Sequence, residues 1–307
     1  MGSMESRRGR ASRAWVRAVV GAGCVLAVAV AGGGAGGRAD AGAAGTALAP
    51  GLEGVETFAF AIGGRGIAGD STRRLRRYGL IVADGEDSPA ERVAELRERG
   101  KVVLAYLSVG TIEDWRSWFD EAKPYRLGRE PDWEGEWYAR LADPGYRELI
   151  AGRVAPELLA KGFDGLFLDN TDMIETHRAQ TDGMHALVSR LGALVHAEPG
   201  YLFAQNGDGT VGPMLDDLDG WNREDVTATY DFDRGRYRPT PRRERRAALR
   251  ALTEIRAEGL LTTTADYTRR DPSRLARRAV ENACAVGALP FVSDIGLTRV
   301  PERPRSC

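Results

Sequence analysis

A single (β/α)8 barrel, the TIM-barrel form of the α/β class, is the fold this sequence predicts, on three observations. From residue 57 onward, short β-branched or aromatic runs alternate with charged stretches of helical period, the pattern of βαβ units around a parallel sheet. Eight such runs occur, and no Gly-x-Gly-x-x-Gly opens the first helix as a dinucleotide-binding sheet would require; Gly63-Gly64-Arg65-Gly66 has the wrong spacing. The length left after the N-terminal segment, roughly 266 residues, is close to the ~250 of such a barrel.

The predicted strands, in order, are Thr57 to Ile62, Gly79 to Ala83, Val102 to Ser108, Gly165 to Asp169, Tyr201 to Gln205, Gly220 to Glu224, Leu260 to Ala265 and Leu289 to Ser293. Helices are predicted over Ala90 to Arg99, Pro144 to Ala160, Gly183 to Ala197, Pro241 to Glu258 and Pro272 to Val286, with shorter ones after the first and fifth strands. Gly100, Gly162, Gly259 and Gly287 stand just before a following strand, where a left-handed helix cap favours a residue without a β-carbon.

The N-terminus places Arg7, Arg8, Arg10, Arg13 and Arg17 before an apolar run, Val19 to Ala31, and ends in Ala39-Asp40-Ala41. That order reads as a secretory signal cleaved near residue 41, and the run is short of the ~20 residues of a membrane span. The organisation predicted is a signal over 1–41, a mobile lead-in over 42–56, and the barrel over 57–307, secreted and with no membrane span after cleavage. Removing six arginines and two acids from totals of 43 and 44 leaves 37 against 42, a net charge of −5 and a poor match to nucleic acid. Cys284 lies in an apolar helical stretch and reads as a small core residue. A bridge to Cys307 is the alternative, disfavoured because chain ends are commonly disordered.

In such a barrel the C-terminal strand ends carry the chemistry, and here they are mostly acidic. Asp84 follows the second strand, Tyr106 and Ser108 lie at the end of the third, Asp169, Asn170 and Asp172 at the fourth, Asn206 after the fifth, Glu224 and Asp225 at the sixth, Asp266 and Tyr267 at the seventh, and Asp294 at the eighth. Two strands share an Asp-Gly-x-x-x-acid pattern, Asp164 to Asp169 and Asp219 to Glu224. Five residues of strand span roughly 16 Å, so Asp164 and Asp219 fall at the opposite end as turn or capping groups, and only Asp169 and Glu224 reach the catalytic face. Two carboxylates crowded in a pocket raise one another's pKa, so one stays protonated as general acid while the other stays ionised, as glycosidic cleavage needs. The alternative is that both pair with arginines to hold loops. Arg223 points outward on the period of two, which leaves the register of the sixth strand open by one residue and Asp225 as the reserve acid.

The long loop Gly110 to Ala142 holds Trp115, Trp118, Trp133 and Trp137, four of the six tryptophans, with Phe119, Tyr125 and Tyr138. Such rings stack on sugar faces, or alternatively build the loop's own small core. Tyr230 also faces the predicted cleft. The three histidines have no partner at metal-ligand spacing, no Gly-x-Ser-x-Gly elbow is present, and neither metal nor cofactor is implied. The arginine-rich run 234–250 reads as a solvated helix face.

Several of these residues together resemble glycoside hydrolase family 114, the endo-α-1,4-polygalactosaminidase-like barrels. The resemblance is carried by Val102 to Ser108, the Trp-rich loop, Trp137 to Asp143, and above all Phe163-Asp164-Gly165-Leu166-Phe167-Leu168-Asp169-Asn170-Thr171-Asp172, with Asn206 and Glu224 matching the later strand-end Asn and Glu. It implies an endo-acting hydrolase of an α-1,4-linked, galactosamine-rich polysaccharide, with Asp169 as nucleophile and Glu224 as acid/base. Substrate-assisted hydrolysis, and a non-catalytic exported glycan-binding or surface-assembly protein on the same barrel, are the other readings.

Overall fold

The computed structural model describes residues 47–63, 66–68 and 71–307. The predicted signal over 1–41, and Gly64 and Arg65 of the Gly-rich loop, lie outside the described residues. Eight parallel strands form one sheet: β1 (Phe58–Ala61), β2 (Leu80–Asp84), β3 (Val102–Ser108), β4 (Gly165–Asp169), β5 (Tyr201–Gln205), β6 (Gly220–Glu224), β7 (Leu261–Tyr267) and β8 (Leu289–Ser293), each hydrogen-bonded to the next in chain order. Phe58 of β1 meets Phe291 of β8 edge to face at 5.9 Å, which brings the two ends of the sheet together as a barrel. Five of the predicted strands have these bounds, and the first, second and seventh differ by one or two residues at their ends.

The register puts Phe60, Tyr106, Phe167, Phe203 and Phe291 inside, where Phe60 and Phe167 pack at 5.0 Å and Phe167 and Phe203 at 6.5 Å. Gly220 is required beside them: a β-carbon there would sit 2.1 Å from the Phe203 ring. Asp164 and Asp219 hold the base of the barrel. Asp164 accepts from the Val103 amide at 2.9 Å and from Arg97 at 2.6 Å, and Asp219 accepts from the Leu202 amide at 2.8 Å and pairs with His196 at 2.9 Å. Each spans two strands, the structural role the sequence gives it.

Outside the barrel run Ala90–Arg97, Thr181–Val195, Arg242–Ala257 and Arg274–Ala285. The predicted helix over Pro144 to Ala160 is broken into Pro144–Leu149 and Ala155–Leu159 by a π turn at Ile150–Val154, and begins where Asp143 accepts from the Gly145 amide at 2.8 Å. The lead-in is packed rather than loose over its described part: Leu52 is fully buried and the Pro50 carbonyl accepts from the Tyr201 hydroxyl at 2.8 Å. Cys284 and Cys307 form a disulfide, with Cα atoms 5.2 Å apart, correcting the expectation of a free core cysteine. The chain's last residues return across the barrel, where Tyr78 donates to the Pro301 carbonyl at 2.9 Å, and this contact brings the terminal cysteine back to the helix.

The loop after β3 is not irregular. It is a small antiparallel sheet of Thr111–Glu113, Glu136–Ala139 and Arg126–Arg129, and Trp118 is buried beneath it. A second extension follows β6, the hairpin Ala228–Asp231 with Arg236–Pro239.

Candidate active site

Asp169 ends β4 and points into the barrel mouth. Its Oδ2 accepts from the Tyr106 hydroxyl at 2.6 Å, and its Oδ1 accepts from Gln205 Nε2 at 2.8 Å and the Asn170 amide at 2.7 Å. Burial pushes its pKa up and these three donors oppose the rise. Gln205 is itself held: Asn222 Nδ2 donates to its Oε1 at 2.7 Å, and the Thr263 hydroxyl donates to Asn222 Oδ1 at 2.7 Å.

Glu224 ends β6 and faces the same mouth. Its Oε2 accepts from Asn206 Nδ2 at 2.9 Å, and its Oε1 accepts from the Tyr267 hydroxyl. Asn206 also receives the Glu224 amide on its Oδ1 at 3.0 Å, so one side chain fixes both the backbone and the carboxyl of Glu224. Burial first, then the charges of Asp169 and Asp225, push the Glu224 pKa up to about 8. The pairing of Asn222 with Gln205 and Thr263 settles the register and turns Arg223 outward, where it pairs with Asp208 at 2.6 Å and its Nη1 donates to the Glu224 carbonyl at 2.7 Å.

Three successive strands end alike. Asn170 (φ 59°), Asn206 (φ 60°) and Asp225 (φ 57°) are left-handed, each directly after the inward-facing Asp169, Gln205 and Glu224. Asn and Asp tolerate that conformation, and it turns the chain away from the mouth immediately after the functional side chain. Asp225 thereby leaves the barrel axis; its carbonyl accepts from the Thr240 hydroxyl at 2.7 Å, and burial pushes its carboxyl up to about 6. Glu224, not Asp225, is therefore the carboxyl beside Asp169.

Around this pair the structure gathers more acid. Asp172 is pushed up to about 7 by burial and then by the Asp169 charge. Glu113 and Glu136, opposite one another in the small sheet, are both raised by burial, and Arg116 opposes the shift at Glu113. Glu136 accepts from the Thr111 hydroxyl at 2.9 Å; Thr111 in turn bonds Ser108 at 2.7 Å, and Asn170 Nδ2 donates to Ser108 at 3.0 Å. Ser108 thus sits inside a network supporting Asn170. The two loop extensions meet through aromatic rings: Trp133 packs edge to face on Phe232 at 5.5 Å, and Phe232 on Tyr230 at 5.1 Å, which in turn packs on Tyr237 at 4.9 Å. Trp115 is half-buried against the same small sheet.

Three predicted ligand-binding acids are placed otherwise. Asp84 is buried, grips Arg116 Nη1 with both oxygens at 2.9 and 3.0 Å, and caps the amides of Glu86 and Asp87. Asp266 lies on the outer face of β7, since Thr263 and Tyr267 point inward, and it accepts from the Thr227 and Ala228 amides at 2.6 and 2.7 Å. Asp294 closes its own loop through Thr298 and Arg299. All three hold loops, and Tyr267, expected against substrate, holds Glu224. Gln205, Asn222, Thr263, Glu136 and Phe232 were missed. The period of two that put Asp169 and Glu224 inward also puts Gln205 and Asn222 inward, so the strand pattern carried that signal; Glu136 and Phe232 depend on loop folds that periodicity does not reach.

A parallel eightfold barrel whose C-terminal mouth holds two half-buried carboxyls from different strands is the architecture of a barrel glycosidase. The profile of glycoside-hydrolase family GH114 matches residues 38–297, and the chain belongs to that family. The glycoside hydrolase domain of PelA from Pseudomonas aeruginosa superposes with a TM-score of 0.70 at 25% identity, over 80% of this chain and 98% of that one. Ega3 of Aspergillus fumigatus, solved in complex with galactosamine, shares the fold at a TM-score of 0.63 and 18% identity, over 85% and 99%. An uncharacterised Deinococcus radiodurans protein is 24% identical over 280 residues, 82% of this chain and 84% of its own length.

Proposed function

We propose that this glycoside hydrolase is exported and cleaves internal α-1,4 linkages of a galactosamine-rich polysaccharide, with Asp169 as nucleophile and Glu224 as acid/base. The observation that carries this reading is the unequal setting of the two carboxyls. Glu224, pushed up to about 8, keeps its proton at neutral pH, while Asp169 is supplied with three hydrogen-bond donors that favour its anion. Glu224 gives its proton to the glycosidic oxygen as that bond breaks, and an Asp169 oxygen bonds the anomeric carbon. Glu224, now ionised, takes a proton from water, whose oxygen displaces Asp169 and releases the second sugar. Both groups return to their starting states.

The substrate class follows from charge and shape. The Asp169 anion, with Asp172 pushed up to about 7 and still partly ionised, puts negative charge in the mouth while Glu224 holds its proton, which suits a cationic, deacetylated amino sugar, and the Trp133–Phe232 pair offers ring faces at the rim. The likeness to the glycoside hydrolase domain of PelA supports glycoside hydrolysis, and the galactosamine complex of Ega3 supports this substrate class. Incubating the protein with a deacetylated galactosamine polymer, its N-acetylated form and a neutral glucan tests it. A rapid fall in mean chain length of the deacetylated polymer alone is expected. Cleavage of only the acetylated polymer would replace this mechanism with a substrate-assisted one, and binding without any cleavage would replace the enzyme reading.

A further inference from the structure

Gln205, Asn222 and Thr263 lie side by side on β5, β6 and β7, in register across the sheet, and all three are buried. Their bonds run in one direction. The Thr263 hydroxyl donates to Asn222 Oδ1, Asn222 Nδ2 donates to Gln205 Oε1, and Gln205 Nε2 donates to Asp169 Oδ1. The row goes on from Thr263 to Leu289 of β8, an apolar side chain with nothing to accept or donate, so the hydroxyl is the relay's terminus. A polar chain in a dry core is costly unless every member is satisfied, and each amide here has two faces of opposite character. Turning one amide over turns its neighbour. In the reversed relay the Gln205 carbonyl would face Asp169 Oδ1, an arrangement that only a protonated Asp169 tolerates.

We propose that Thr263 and Asn222, on strands remote from Asp169, are positioning residues that fix the Gln205 amide so that its NH2 group faces Asp169 and holds that carboxyl in its ionised form. This rests on the assignment of Asp169 above. The groups facing Asp169 are Tyr106 from β3, Gln205 from β5, Glu224 from β6, Tyr267 from β7, Asp172 from its own loop, and Glu113 and Glu136 from the small sheet. No cation is among the groups that set its charge, so the anion depends on Tyr106, Gln205 and the Asn170 amide. In the reversed relay the Thr263 hydroxyl would accept from Asn222 and its own proton would face only Leu289, so the hydroxyl favours the observed direction; its loss removes that bias and weakens one of the three donors.

The test is a carbon-13 titration of the Asp169 carboxyl in protein labelled at aspartate side chains, its signal assigned by its absence in Asp169→Asn. Wild type is compared with Thr263→Val, which keeps the shape, Thr263→Ala, which removes bulk as well, and Thr263→Ser, which restores the hydroxyl. The Asp169 midpoint is expected to rise by about one pH unit in the Val and Ala variants, tenfold in the protonation equilibrium, and to return in the Ser variant. The acid limb of kcat/KM moves by the same amount with KM unchanged. A midpoint unmoved in either folded deletion variant, or one not restored by serine, overturns the proposal. Because the titration needs no turnover, a wild-type protein that cleaves nothing would refute the hydrolase reading while leaving the relay decided by the carboxyl midpoint.

Discussion

Replacing Glu224 by glutamine should make the protein less sensitive to alkaline pH, and the size of the effect follows from the burial of that one carboxyl. Its pKa is raised from 4.5 to about 8. Below about pH 4.5 both folded and unfolded chains hold the proton, and the stabilising contribution is fully present. Between the two values the folded chain keeps a proton that the unfolded chain has lost, so stability falls as pH rises through this window. Three and a half units at ~1.36 kcal/mol each amount to about 5 kcal/mol when the window is crossed. Glutamine has no such term, and its carbonyl can accept from Asn206 while its NH2 group donates to the Tyr267 hydroxyl, the same pattern the protonated carboxyl uses. Glu224→Gln is therefore expected to match wild type near pH 4.5 and to be more stable by about 5 kcal/mol near pH 9. Urea unfolding followed by tryptophan fluorescence at several pH values measures the difference. Asp172, Asp225 and Asp266, also pushed up, make both proteins weaken with pH, and the difference between them isolates Glu224. A difference that does not change with pH would refute the reasoning.

Other consequences are measurable in the same way. Arg116 is buried between Asp84 and Glu113, so Arg116→Met strands two buried carboxylates and should cost about 3–5 kcal/mol in denaturant unfolding. Cys284→Ser opens a closed loop whose ends are 23 residues apart, and by loop entropy the unfolding free energy should drop by about 3 kcal/mol, with wild type losing as much on reduction. Trp133→Ala removes the ring that joins the two rim loops, and should raise KM for long polymers with kcat changed far less; a lost kcat instead would place that ring nearer the reacting sugar.

The barrel was legible because its strands announce themselves by short apolar runs and its helices by period and glycine stops, and the places of the two strand-end acids followed from strand length and the period of two. The same parity argument places Asp266 outside, between the inward Thr263 and Tyr267, so its expected place in the cleft was an error of application rather than missing information. Asp84 and Asp294 are different. Arg116, the partner of Asp84, comes from a distant loop, and Asp294 turns back on Thr298 and Arg299 of its own loop, and no apolar period encodes either path. The Cys284–Cys307 bridge likewise depends on where the terminal segment docks, a tertiary contact near Tyr78. The proposed division of labour between Asp169 and Glu224 was legible as chemistry, but the side chains that hold the two carboxyls, Gln205 on one and Asn206 with Tyr267 on the other, emerge only when neighbouring strands are set in register.

The most direct test of the account is the release of reducing ends from a deacetylated galactosamine polymer by wild type, Asp169→Asn and Glu224→Gln, each shown to be folded. The account predicts that wild type cleaves and that each substitution lowers kcat by about 10²–10⁴-fold. Cleavage that survives in either variant at near the wild-type rate would contradict it.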